Sequence, residues 1–218
     1  HSMAELGWLG LPFKEEDGGF GGNQIDVLVV MEQFGRGLVL EPYLASIIMG
    51  GGALKRGGTD ALKSEILPQV IEGTLQLAFA YAEEQSRFDL DDVMTSARKE
   101  GENFVLNGQK SMVQNAETAD KIVVSARTSS GQVGPQGITL FLIDADAEGL
   151  SRDNFPTVDG LRASEITLEN VSVGPDRILG EVDQGFSILQ AVANDAMLAL
   201  SAEAVGAMEV LYKDTVDY

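Results

Sequence analysis

A chain of 218 residues with 44% hydrophobic content is long enough to bury a core as one large domain or two small ones. Its 34 acidic residues against 15 basic ones leave a net charge of −19, which repels nucleic acid and anionic membrane surfaces and is offset by no Lys/Arg cluster. There is no cysteine, and the one histidine is His1, so disulfides, thiolate metal sites, His-based triads and H-E-x-x-H zinc helices are excluded. No charged-then-apolar leader and no run of 18 apolar residues is found, so the expectation is a cytoplasmic protein without a membrane span.

Residues 1–73 read mainly as helix. "NQIDVLVVMEQFGR" brings Ile25, Leu28, Val29 and Phe34 toward one face at helical spacing, and "TDALKSEIL" begins on an N-cap residue, Thr59, and stops at Pro68. The glycine clusters "DGGFGG" (17–22) and "GGG" (50–52) read as joints between helices. Neither has the spacing of a phosphate-binding loop.

Residues 74–180 change period. "LQLAFAYA", "NFVL", "KIVVSAR", "GITLFLID" and "SEITLENVSV" are short, partly alternating runs separated by Gly, Ser, Pro and Asp, which predicts an antiparallel β region. Asn107-Gly108 reads as a two-residue hairpin turn, and "SSGQVGPQG" (129–137) as a surface loop of low structural content.

From Gln184 the helical period returns. Phe186, Leu189, Ala193, Leu200, Ala204, Met208 and Leu211 recur every three or four residues, which predicts a helix of roughly thirty residues, about 45 Å long. Its apolar stripe asks for further helices, and no capping glycine or proline follows "KDTVDY", so the chain reads as a fragment of a longer protein.

The strings "LGWLGLPFKEEDGGFGG" (6–22), "LNGQKSMVQNAETADKIVVSART" (106–128), "VDGLRASEITLENVSVGPDRILGE" (158–181) and "QGFSILQAVANDAMLALSAEAVGAMEVL" (184–211) occur in an order that resembles the acyl-CoA dehydrogenase family. Within it, the wording is similar to small subunits of pimeloyl-CoA dehydrogenases, which work as unlike-subunit pairs. The resemblance implies an α+β fold: an N-terminal helical domain (1–73), a middle antiparallel β-barrel domain (74–180) and the first helix of a C-terminal helical bundle (181–218). It implies FAD as cofactor, an acyl-CoA thioester as substrate, an electron-transferring flavoprotein as acceptor, and a tetramer or other homo- or hetero-oligomer with another such subunit. The implied reaction is α,β-dehydrogenation, in which a carboxylate takes the α-proton and the β-hydride passes to the flavin.

The same resemblance assigns cofactor contact to Tyr81, Ala82, Arg87, Phe88, Met112 and Gln114. In the segment "YAEEQSRFD", Glu83 and Asp89 keep a T-E-P-x-A-G-S-D pattern, while Ala82 replaces its Thr and Glu84 to Phe88 replace its Pro-to-Ser portion. Met112-Val113-Gln114-Asn115-Ala116 stands where W-I-T-N-G is usual. Met112 and Gln114 could instead only complete a hairpin face. Arg87 reads either as a surface partner of Glu83 and Glu84 or as the local positive charge for a phosphate, with Arg36 and Arg162 as further candidates for that charge. On the long helix Ala196 and Met197 stand where some relatives carry a base and an Arg, and Asp195 reads as a solvated helix-surface carboxylate. No catalytic base is therefore expected before Tyr218, and a non-catalytic structural subunit is the alternative reading.

Overall fold

The computed structural model describes residues 2–218, so His1 lies outside the described residues. Short helix α1 (Ser2–Glu5) leads to α2 (Gln24–Gly37), whose Asn23 forms a reciprocal capping box with Asp26. A wide π-helical segment, Leu44–Gly51, runs without a break into α3 (Gly52–Gly57), and α4 (Asp60–Ile71) follows. Thr59 caps α4 as its position predicts.

Three expectations for this region need correction. Pro68 does not stop α4, which continues to Ile71. Gly50, Gly51 and Gly52 are buried inside the helical run rather than forming a joint, because a Cβ on Gly50 would collide with Leu77 and one on Gly51 with Phe13. On α2 the buried positions are Val27, Met31 and Phe34, while Ile25 and Val29 are exposed. "IDVLVVM" is apolar on several sides, so spacing alone does not reveal which side is covered.

Eight strands follow: β1 (Leu77–Ala80), β2 (Ser96–Glu100), β3 (Asn103–Gln114), β4 (Lys121–Arg127), β5 (Ile138–Asp144), β6 (Leu150–Pro156), β7 (Arg162–Val173) and β8 (Ile178–Leu179). They form one sheet in the order β6-β7-β3-β2-β4-β5-β8, with β1 added parallel to β4. The sheet is open, not a closed barrel, and the β1–β4 and β2–β4 pairings depart from a purely antiparallel region. It folds over so that Phe104, Leu106, Ile166 and Leu168 share a core with Ile122, Val124, Phe141 and Ile143. The opposite faces of the inner strands, with Leu77, Phe79, Val123, Leu140 and Leu142, pack on the helices. Strand β1 is buried on both sides for this reason.

Asn107-Gly108 is not a turn but lies inside β3, and the hairpin is made earlier by Gly101-Glu102 between β2 and β3. Gly108 is required by close approach: a Cβ there would meet the Thr95 backbone. The 129–137 segment is also better anchored than its composition suggests. The Arg127 guanidinium donates to the carbonyls of Gln132, Gly134 and Gln136, and to that of Asp91.

The last helix, α5 (Phe186–Asp217), starts within two residues of its expected position. Its buried face is Leu189, Val192, Ala196, Ala199 and Gly206, whereas Leu200, Met208 and Leu211 of the expected stripe are exposed. By length and composition alone it would also suffice to cross a membrane. Here it packs on α2 through a crossing at which Gly35 and Gly206 face the opposite backbone, since a Cβ on either would overlap the carbonyl of Glu203 or Glu32. Arg36 pairs with Glu32 on its own helix and across the crossing with Glu209, so it is committed to helix packing and is not a free phosphate ligand. Gly35→Ala should therefore lower stability by about 1–3 kcal/mol despite the better helix propensity of alanine. Gly37→Ala, two residues on, should be neutral or stabilising, because its Cβ would only reach ordinary contact with Val39. Urea midpoints of the two variants check this.

Candidate functional site

The strand β1 leaves the core and enters a turn, residues 81–92, whose shape is fixed by one buried ion pair. Lys110 lies on the inward phase of β3 with Phe104 and Leu106, and its side chain is 0% exposed. The ammonium donates to Glu83 Oε1 (2.7 Å), Ser125 Oγ (3.0 Å) and the Tyr81 carbonyl (3.4 Å), so all three protons are placed. Glu83 accepts from Lys110 and the Thr95 amide on one oxygen, and from the Met94 amide and Gln85 Nε2 on the other. Burial pushes Lys110 down to about 8 against the pull of Glu83. Burial would raise Glu83, but Lys110 and the hydrogen bonds from Gln85 and Thr95 outweigh it and hold the carboxyl below its usual range.

This pair corrects the reading of Arg87 as a surface partner of Glu83 and Glu84. Glu83 turns inward, and Arg87 stands exposed with no ion pair among the described residues, in a left-handed conformation (φ 50°). Ser86 closes the turn, its Oγ donating to the Glu83 carbonyl and accepting from the Glu83 amide. Phe88, beside it, is 97% exposed.

On the far side of Lys110, the β3–β7 register slips by one residue between Lys110 and Val113. This bulge puts Met112 at φ 53° and moves Val113, not Met112, into the core. Glu165 of β7 holds the bulge by accepting from Ser111 Oγ (2.9 Å) and the Met112 amide (3.3 Å), and the Ser111 amide donates to the Ala82 carbonyl. Met112 and Gln114 thus both face outward beside the turn.

Turn, bulge and helices enclose a cleft of about 530 Å³. Tyr81, Ala82, Arg87, Phe88, Met112 and Gln114 all line it, so the structure brings the six sequence-selected residues together in one place. The opposite wall is Leu44, Ala45 and Met49 of the π-helical segment and Ala193, Ala196, Met197 and Leu200 of α5. Sequence reasoning missed Leu44, Ala45 and Met49, and nothing in "LASIIMGG" separates cleft from core. It also missed Lys110, for which a signal existed: a lysine in phase with Phe104 and Leu106 needs a buried partner.

Two other candidates lie elsewhere. Asp195 is ion-paired with Arg56 and lines a separate small cavity, so it is not a freely solvated carboxylate. Arg162 pairs with Glu117 beside a second cleft of about 370 Å³ that Gln114 also borders.

Removing the cation from this buried pair strands a carboxylate. Lys110→Met should cost about 3–5 kcal/mol, and Lys110→Met combined with Glu83→Gln should recover most of it, as urea unfolding would measure. Because the folded-state pKa of Glu83 is depressed, its stabilisation is complete above the unfolded value and is lost as pH falls through the folded one. The urea midpoint of the wild type should therefore fall with acidification below about pH 4.5, more steeply than that of the double variant.

Family models for the acyl-CoA dehydrogenase N-terminal domain and middle domain match residues 1–74 and 78–171. The chain is 33% identical over 222 residues to a 3-(aryl)acrylate reductase of Clostridium sporogenes and 30% identical over 221 residues to the caffeyl-CoA reductase-Etf complex subunit CarC of Acetobacterium woodii. In both cases 99% of this chain is covered, but only 58% of the relative's own length. Among solved structures, butyryl-CoA dehydrogenase from Megasphaera elsdenii superposes with a TM-score of 0.91 at 26% identity, covering 100% of this chain and 59% of that one. A glutaryl-coenzyme A dehydrogenase in complex with glutaryl-CoA gives 0.92 at 25% identity, covering 100% and 56%. With both family models matched and the helices, sheet and final helix superposing on these structures, the chain belongs to the acyl-CoA dehydrogenase family.

Proposed function

We propose that this chain forms the cofactor-facing part of an FAD-dependent acyl-CoA dehydrogenase that carries out α,β-dehydrogenation of an acyl-CoA thioester. An electron-transferring flavoprotein would take the electrons, and the working unit would be a homo- or hetero-oligomer of acyl-CoA dehydrogenase subunits. The supporting observation is the cleft itself: the turn and the bulge converge on one mostly apolar hollow opposite two helices.

The residues present suit a flat ring with a polar edge. Met112, aimed outward by its bulge, offers a soft apolar surface, and the Gln114 amide offers a donor. Arg87 supplies local positive charge that a −19 chain otherwise lacks for an anionic cofactor or substrate. When bound there, FAD would supply the acceptor for the substrate's β-hydride. No carboxylate points into the cleft from the helices, because Ala196 occupies the lining and Asp195 is held by Arg56. The proton-abstracting carboxylate in this reading comes from outside the described residues.

Ala82 and Phe88, where the family pattern carries hydroxyls, together with Met112, Ala196 and Met197, favour a second reading in which the chain is a structural subunit completing an unlike partner's site. Titration of FAD into the purified protein, alone and with a second acyl-CoA dehydrogenase subunit, separates the two. Visible flavin bands and quenched flavin fluorescence with the protein alone support the first reading. Binding only in the presence of the partner means a shared site, and no binding in either case leaves a scaffold.

A further inference from the structure

Between Lys110 and Val113, strand β3 carries one residue more than β7, so Ser111 and Met112 together stand opposite a single residue, Glu165. Plain alternation from the inward Lys110 would send Met112 into the core and Val113 outward. The left-handed backbone of Met112 (φ 53°) reverses this, burying Val113 and turning Met112 to the cleft. Such a backbone is disfavoured at a residue with a Cβ and persists only where its surroundings impose it. Here three hydrogen bonds do so. The Ser111 amide donates to the Ala82 carbonyl (2.9 Å), while the Ser111 hydroxyl (2.9 Å) and the Met112 amide (3.3 Å) both donate to Oε1 of Glu165. Glu165 is an exposed residue of β7 outside the set that lines the cleft, so its influence there passes through Met112.

We propose that Glu165 is a positioning residue for the flavin: its carboxylate holds the Met112 backbone left-handed and thereby fixes the thioether against the bound ring. This role rests on the flavin reading above and adds the group that prepares the surface on which the ring lies. Methionine is unbranched and adapts to many surfaces, so a defined contact with a flat ring needs a defined backbone beneath it. Setting that backbone before the ring arrives removes part of the ordering cost of binding. What the two donors require is an oxygen at the place of Oε1 and not a negative charge, because both are uncharged and both arrive at that one atom. Glutamine can supply such an oxygen. Alanine cannot.

Titration of FAD into the full protein, with the second subunit present where binding requires it, tests this through flavin fluorescence and visible circular dichroism. Glu165→Ala should weaken FAD binding about 10-fold and change the flavin dichroism, whereas Glu165→Gln should stay within about 2-fold of the wild type. In a Met112→Gly background, glycine takes the left-handed backbone unaided and the thioether is gone, so adding Glu165→Ala should move neither readout. Equal affinity and dichroism in the wild type and Glu165→Ala would overturn the proposal and leave the flavin reading intact. The same holds if Glu165→Gln is as impaired as Glu165→Ala, or if Glu165→Ala still weakens binding in the Met112→Gly background. No FAD binding by the wild type, alone or with the second subunit, would overturn the flavin reading and this role with it.

Discussion

The contact between Lys110 and Glu83 is the constraint on which the candidate site depends. A lysine placed on the apolar phase of β3 must be neutralised inside the sheet, and the carboxylate that does so belongs to the turn after β1. Glu83 also gathers the amides of Met94 and Thr95, so one side chain fixes both ends of the segment that forms the cleft's outer rim. Arg127, through the Asp91 carbonyl, holds the same segment from the loop at 129–137. Between these anchors Arg87 and Phe88 remain exposed over the hollow.

The opposite wall depends on backbone proximity instead of charge. Gly35 and Gly206 let α2 and α5 cross with no intervening side chain, which sets where Ala193, Ala196 and Met197 stand relative to the sheet. The π-helical winding at Leu44–Gly51 and its glycines bring the third element against β1. Rigid, close-packed supports on both sides are the arrangement expected where a shallow hollow must keep its shape.

Order of elements was legible in the sequence, because apolar period and breakers survive translation into helices and strands. Strands β4, β5 and β7 and helix α5 lie close to where those patterns put them. Faces and approaches were less so. Ile25 and Val29 are as apolar as Val27 and Met31, and only tertiary packing separates them. Asn107-Gly108 has the composition of a turn, yet it is consumed by the Thr95 contact, and Gly101 takes the turn instead. The six site residues fell together because they came from two contiguous strings, whereas Leu44, Ala45 and Met49 join them only through folding. Lys110 was the one such residue readable in advance, from a charge out of place in an alternating strand.

The central claim is that the turn set by Glu83 and the bulge at Met112 form one wall of a flavin site. A crystal structure of the protein with FAD tests it most directly. The flavin ring should lie in the cleft, against Met112 and within hydrogen-bond reach of the Gln114 amide, with the Lys110–Glu83 pair intact behind it. A ring bound elsewhere on the chain, or a cleft closed by rearrangement of residues 81–92, would contradict it.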